Sequence, residues 1–354
     1  MPSSQTRLKP PPAPTRGGMA DVLIVDDSIV ARSVIGRLVY GNPRCRVAGA
    51  VPDADSALAF LRANRVDVVL LDIEMPGRNG LAALPDLLAE SGGAKVLVVS
   101  SSCEDGGAST VQALALGAAD TLVKPGAGTL AGRFADELEE RLDRLLEPAP
   151  RVPQLAYAAA PTAAVSFEVV AIGASTGDIH ALGQVLRALP AEMTAPILVT
   201  QHLPASFMPY FAAQLALLAG RPCDVGDDRV RIRPSRIIVA PGHAHLKVVR
   251  MTEGTAIRLS TQPVASGCMP SVDPMFESVA EVYGRGALGV VLSGMGRDGA
   301  QGAERIAGKG GRVVVQDRES STVWGMPGSV AAAGCASAVL TPDAIGALIA
   351  RGAA

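Results

Sequence analysis

The sequence predicts an α/β protein made of two doubly wound parallel-sheet domains. Short runs of Val, Leu and Ile recur along it, among them Val22-Leu23-Ile24-Val25, Val68-Val69-Leu70-Leu71, Val169-Val170-Ala171-Ile172 and Leu288-Gly289-Val290-Val291-Leu292. Runs this short and this continuously apolar read as strands buried on both faces, which is how parallel sheets look in sequence. Hydrophobic residues make up 48% of the chain but aromatic residues only 3%, so small aliphatic side chains must fill the cores. At 354 residues the chain is long for one core, and a proline-rich stretch divides it.

Residues 1–18 are rich in Pro, Ser and Gly, and they are expected to form a disordered tail. The first domain then spans residues 19–146. Its first strand runs into Asp26-Asp27, and Val66 to Leu71 runs into Asp72. Val96 to Val99 leads to Ser100, and Thr121-Leu122-Val123 leads to Lys124. Carboxylates gathered at strand ends suit a hard, octahedral cation such as Mg²⁺, which also takes a phosphate oxygen. A carboxylate beside such a metal can act as a nucleophile toward a phosphoryl group. The Ser100 hydroxyl and the Lys124 ammonium would complete a phosphate cradle. Solvated carboxylates at strand ends are common, but here the acidic pair, Asp72, Ser100 and Lys124 fall in order on successive βα units.

A charged helix is expected from Leu130 to Leu146. Residues 147–165 follow, with Pro148, Pro150, Pro153 and Pro161 among alanines, and read as an extended linker. The second domain spans residues 166–354. Its first strand ends in Gly173-Ala174-Ser175-Thr176-Gly177, a G-x-S-x-G turn that presents a serine hydroxyl at the start of a helix expected over Ile179 to Leu189. Free N–H groups there, with Thr176 the candidate donor, could hold an oxyanion. His202 follows Ile197 to Thr200, and Asp298 lies just past Leu288 to Leu292. Alone, Ser175 is as readily an N-cap, His202 a structural histidine and Asp298 a turn residue. Together at three strand ends they make nucleophile, base and orienting carboxylate. The chain order Ser, His, Asp differs from the Ser, Asp, His order of α/β-hydrolases.

The remaining composition is mainly exclusionary. A net charge of −2 and a pI near 6.1 give no basic footprint for nucleic acid. The five cysteines, Cys45, Cys103, Cys223, Cys268 and Cys335, are scattered without a C-x-x-C and read as free thiols in a reducing cytoplasm. No apolar run reaches the length of a membrane span, so no membrane insertion is expected.

The first-domain residues Asp26, Asp27, Leu71-Asp72-Ile73-Glu74-Met75-Pro76-Gly77, Ser100 and Lys124 resemble a response-regulator receiver domain. The second half is similar to the chemotaxis methylesterase family in Gly173 to Gly177, Gln201-His202-Leu203-Pro204, Ala240-Pro241-Gly242, Pro270-Ser271-Val272-Asp273-Pro274, Gly294-Met295-Gly296-Arg297-Asp298-Gly299 and Trp324-Gly325-Met326-Pro327. The resemblance implies a flavodoxin-like receiver and a Rossmann-like methylesterase domain. It implies Mg²⁺ held by Asp26, Asp27 and Asp72, phosphorylation of Asp72, and Ser100, Thr121 and Lys124 as switch residues. For the hydrolase it implies the triad Ser175, His202 and Asp298, Met295 as a second oxyanion donor, and no cofactor. Its expected substrate is methylated glutamate, and selected glutamines, on the cytoplasmic helices of chemoreceptors, with a histidine kinase as phosphodonor. Five positions depart from the family pattern. Asp178 replaces a glycine, Met269 a basic residue, His243 a frequent acidic residue, Ser293 a common threonine and Thr121 a switch aromatic, and Asp178 and Met269 leave open a binding platform without turnover.

Overall fold

The computed structural model describes residues 18–100, 106–124, 131–146, 166–175 and 179–352. The chain divides after Leu146 into two compact units. The expected tail, apart from Gly18, and the expected linker lie outside the described residues.

The first unit alternates strands and helices. Its strands are β1 (Ala20–Val25), β2 (Cys45–Val51), β3 (Val68–Asp72), β4 (Lys95–Ser100) and β5 (Asp120–Val123), and its helices are α1 (Ile29–Gly41), α2 (Ala54–Ala63), α3 (Gly80–Glu90), α4 (Gly106–Leu116) and α5 (Ala131–Leu146). The sheet order is β2-β1-β3-β4-β5, every pair parallel. That is the flavodoxin-like order, in which the chain reverses direction across the sheet between β1 and β3. Every residue of β3 is buried, which explains its unbroken apolar sequence. Phe134, Leu138, Leu142 and Leu145 of α5 recur at helical spacing and close one side of the core over Val22, Ile24, Leu70 and Leu97. The capping side chains are Ser28 for α1, Asp53 for α2 and Asn79 for α3, each accepting from a backbone N–H of the first turn.

The second unit holds strands β6 (Val169–Ala174), β7 (Ile197–Gln201), β8 (Cys223–Val225), β9 (Ile237–Val239), β10 (His245–Arg250), β11 (Thr255–Ser260), β12 (Ala287–Val291), β13 (Arg312–Gln316) and β14 (Ala338–Leu340). Its helices are α6 (Ile179–Arg187), α7 (Met208–Ala219), α8 (Val272–Tyr283), α9 (Ala300–Gly308), α10 (Met326–Ala332) and α11 (Pro342–Gly352). Seven strands form a parallel sheet in the order β14-β13-β12-β6-β7-β9-β8. The chain winds outward in both directions from β6, the Rossmann-like plan, and its reversal point is the β6–β12 seam. Helix α6 stops at Arg187, two residues short of the expected end. Pro190 follows, and Leu189 closes a tight turn onto the Leu186 carbonyl instead.

A feature absent from the sequence reading is the antiparallel hairpin β10–β11, separate from the main sheet. Its turn passes through Gly254 at φ 80°. Helix α8 lies unusually close to β6. A Cβ on Gly173 would fall 2.5 Å from Val272 Cγ1, so only glycine lets the start of α8 reach the strand end where Ser175 follows. Among the described residues no helix is long and apolar enough to cross a membrane.

Candidate functional site

In the second unit, three strand ends deliver the three predicted residues. Ser175 follows β6, His202 follows β7, and Asp298 lies on the loop after β12. The ladder pairs Ala174 with Gln201, so Ser175 and His202 leave the sheet side by side. The His202 N–H donates to the Ala174 carbonyl at 3.1 Å and extends the ladder by one step. The Gln201 side-chain amide donates to the Ser175 carbonyl, which fixes the backbone under the hydroxyl. On the other flank the Ser175 N–H reaches the Ser293 carbonyl at 3.3 Å.

His202 and Asp298 are joined through Nε2 and Oδ2 at 2.8 Å. Asp298 is 1% exposed, and its carboxylate is crowded with donors. Oδ1 accepts from Ser271 Oγ at 2.5 Å and the Gly299 N–H at 3.1 Å, and Oδ2 accepts from the Val272 N–H at 2.8 Å besides His202. Ser271 and Val272 begin α8, so the carboxylate sits on the positive end of a twelve-residue helix. Burial works against its charge. The His202 contact, Ser271 and Val272 outweigh burial and bring the pKa down to about 2.

His202 is perturbed in the opposite direction. Burial disfavours its imidazolium, yet the Asp298 contact and then Cys268, within 4.8 Å of the ring, raise the pKa to about 9. Asp273, the neighbour of Val272, is raised to about 6, first by burial and then by the charge of Asp298, against a lowering hydrogen bond from the Gly302 N–H.

No hydrogen bond joins Ser175 Oγ to His202 in the structure. With Nε2 on the carboxylate, Nδ1 is the ring nitrogen left to take a proton, the reverse of the usual triad assignment. Thr176 and Asp178 lie outside the described residues. Met295 is exposed on the loop between Gly294 and Asp298, and among the described residues nothing accepts from its N–H. That loop is braced by the Gly325 and Met326 N–H groups on the Gly294 carbonyl, and the buried Gln316 side chain accepts from the Ser293 N–H.

The first unit gathers Asp26, Asp27, Asp72 and Lys124 at the β1–β3 reversal point. Oxygens of Asp26, Asp27 and Asp72 lie within 4.8 Å of one another. Lys124 Nζ bridges Asp26 and Asp72 at 2.7 Å each. Burial raises the Asp72 pKa despite Lys124. Burial works to lower that of Lys124, but Asp26 and Asp72 hold it above its ordinary value. Ser100 is buried at the end of β4 and Thr121 half-buried on β5. An all-oxygen set with two buried carboxylates fits a hard cation, and Asp27 is the exposed member through which an ion could enter.

The sequence reading did not single out the roles of Ser271, Asp273, His245 or Cys268. Ser271 and Asp273 stood in the quoted Pro-Ser-Val-Asp motif but carried no chemistry of their own. His245 is buried, accepts the Ser271 N–H on Nδ1 at 2.9 Å and contacts the Gln262 carbonyl through Nε2 at 2.9 Å, so it is the neutral ring that fixes the Ser271 turn. Cys268 appeared only as one scattered thiol.

An acidic cluster on one parallel sheet and a serine, histidine and aspartate at the strand ends of another mark the class of receiver-linked hydrolases. Comparison narrows the class. Residues 170–349 match the CheB methylesterase family, and residues 22–131 match the response regulator receiver domain. A protein-glutamate methylesterase/protein-glutamine glutaminase of Maricaulis maris (strain MCS10) is 36% identical over 385 residues, covering 95% of this chain and 96% of its own. A second, from Caulobacter vibrioides, is 40% identical over 339 residues, covering 93% and 97%. The crystal structure of the Thermotoga maritima CheB methylesterase catalytic domain superposes with a TM-score of 0.50 at 33% identity, over 52% of this chain and 98% of that one. The chain belongs to the CheB methylesterase family and carries a response regulator receiver domain.

Proposed function

We propose that this chain is a phosphorylation-activated chemotaxis response regulator that hydrolyses glutamyl γ-methyl esters on the cytoplasmic helices of chemoreceptors, releasing methanol, and deamidates selected receptor glutamines. The observation that carries it is the 2.8 Å His202–Asp298 contact on strand ends beside Ser175, within a chain whose relatives bear that name. Residues 19–146 act as receiver, 147–165 as linker and 166–354 as catalytic domain.

Ser175 Oγ attacks the ester carbonyl while His202 Nδ1 takes its proton, and Asp298 holds the imidazolium that results. The tetrahedral oxyanion is met by backbone N–H groups at Met295 and Thr176. Collapse expels methoxide, which leaves as methanol with the proton from His202, and water then repeats the cycle on the acyl-enzyme. An amide passes through the same intermediates with ammonia as leaving group, so one site serves ester and glutamine alike. In the receiver, Asp26, Asp27 and Asp72 would hold Mg²⁺, which neutralises charge on a phosphoryl group. Asp72 accepts the phosphoryl from a histidine kinase, and Lys124, Ser100 and Thr121 read the change. The protein works in the cytoplasm, where both partners present these groups.

The test is methanol release from methylated receptor membranes with and without acetyl phosphate and Mg²⁺. Ser175→Ala should lose roughly three or more orders of magnitude of rate with the fold intact. Retention of more than about a tenth of the wild-type rate would reassign the nucleophile, since other triad losses measured this way are far larger. Binding of receptor without methanol release would make the domain a platform instead.

A further inference from the structure

Among the described residues, two three-residue clusters have the spacing of metal ligands, and their chemistries are opposite. Asp26, Asp27 and Asp72 offer oxygen alone, whereas His202, Cys268 and Asp298 offer nitrogen, sulfur and oxygen within 4.8 Å of one another. Thiolate and imidazole are the ligands of borderline and soft divalent ions, which oxygen-only sets do not favour. We propose that Cys268, His202 and Asp298 form an inhibitory site for a zinc-class divalent cation, whose binding switches the hydrolase off.

The geometry allows it with modest movement. Tetrahedral zinc bonds at about 2.0–2.3 Å, which puts sulfur and nitrogen ligands about 3.5 Å apart, so ligands lying within 4.8 Å need to close by about 1.3 Å at most, while the His202–Asp298 pair at 2.8 Å opens slightly. Cys268 sits half-buried on an irregular segment and can supply that movement. Asp298 at first looks saturated, since its oxygens already take Ser271, Gly299, Val272 and His202. The proton between His202 Nε2 and Asp298 Oδ2 is the exception, because zinc can replace it and use the lone pairs it leaves on both atoms. The thiol proton goes to solvent as the sulfur binds. Three protein ligands then leave the fourth position to water.

The ring chemistry explains the inhibition. With its Nε2 lone pair on the metal, a neutral imidazole carries its single proton on Nδ1. An N–H there cannot take the Ser175 proton, so the base required for attack is lost. The activity part of this inference rests on the reading in the preceding subsection, but the binding part does not.

Cobalt(II) tests binding, because a thiolate ligand gives a sulfur-to-cobalt charge-transfer band. The chelator-stripped full chain, titrated with Co²⁺, should develop this band at one equivalent. Cys268→Ser should abolish it although the other four cysteines remain, and His202→Ala should weaken binding about hundredfold or more, beyond the typical effect of losing an outer-shell partner. Zn²⁺ should inhibit methanol release by the wild type, a chelator should restore it, and the concentration for half inhibition should rise by about the same factor in Cys268→Ser. Mg²⁺ should not substitute. A band that survives Cys268→Ser, or zinc sensitivity unchanged by it, would overturn the site. Cobalt bound through Cys268 in a chain that releases no methanol would leave the metal site standing and sink the esterase reading.

Discussion

The pH profile of ester hydrolysis is the sharpest consequence of the site's electrostatics. His202 holds a pKa of about 9, sustained against burial by Asp298 and Cys268. A general base must be neutral, and a raised pKa keeps the ring protonated up to that pH. About 1% of the resting enzyme is therefore base-competent at pH 7, and kcat/KM should rise about tenfold per pH unit toward pH 9. Cys268→Ser removes the second support and keeps the first. The acid limb should move to lower pH, and for every pH unit it moves the rate at pH 7 gains about tenfold, equivalent to about 1.4 kcal/mol. The variant is thus expected to be faster than the wild type at neutral pH and equal to it on the alkaline plateau. The assay is methanol release at subsaturating methylated receptor over about pH 6 to 10 in metal-chelated buffer, since kcat/KM reports the free enzyme. A wild-type limb centred near the ordinary histidine value of 6.5, or one unmoved by Cys268→Ser, would refute this account.

Asp298→Asn replaces an acceptor-only group with one bearing an N–H₂ that must face donors, and it should cut kcat by about three to four orders of magnitude. It should also lower the thermal midpoint, because the α8 terminus loses a buried charged acceptor worth about 1.5–3 kcal/mol. Gly294→Ala would set a Cβ 2.3 Å from Met326 Sδ and 2.8 Å from Ser175 Cβ, so hydrolysis should fall at least about tenfold while acetyl phosphate still labels the receiver. Equal rates would show that the Gly294 loop yields freely. Asp72→Asn should abolish Mg²⁺-dependent labelling and the accompanying gain in esterase rate, with the unstimulated rate unchanged. Labelling that persists would move the phospho-acceptor elsewhere.

The sheets were legible because strands buried on both faces leave unbroken apolar runs, as in Val169 to Ile172, whose residues are all buried. The placement of Ser175, His202 and Asp298 at strand ends, and of the Asp26, Asp27 and Asp72 cluster, was legible because each comes after such a run. The shorter strands were not. Cys223–Val225 has three residues, none fully buried, and the hairpin of β10 and β11 alternates too weakly to stand out. Nor was the shell around Asp298 readable from spacing. Ser271, Val272 and Asp273 lie 25 to 27 residues before it, and they meet it only because α8 presses onto β6 at Gly173. Cys268 is nearer in sequence to Asp298 than to His202, and nothing in a single thiol announces a contact with either. Thr176 and Asp178, named from the nucleophile turn, lie outside the described residues.

Asp298 serves two partners with one charge, and this decides how the site responds to acid. Its oxygens terminate α8 through Ser271 and Val272 and also hold His202 through Nε2. His202 is the largest support against burial and the helix contacts come after it, so the pKa of about 2 rests on the ring first, and the carboxylate is ionised throughout the range near pH 9 where His202 titrates. Loss of activity on acidification therefore belongs to the ring and not to collapse of its support. The same anchoring restricts the tautomer. An ionised Oδ2 beside Nε2 favours the proton on Nε2, so a neutral His202 presents Nδ1 as an acceptor, the nitrogen to which the proposed mechanism assigns the Ser175 proton. A helix terminus has thereby fixed both the orientation and the protonation pattern of the base, which is why replacing the carboxylate by an amide of the same shape should be so costly.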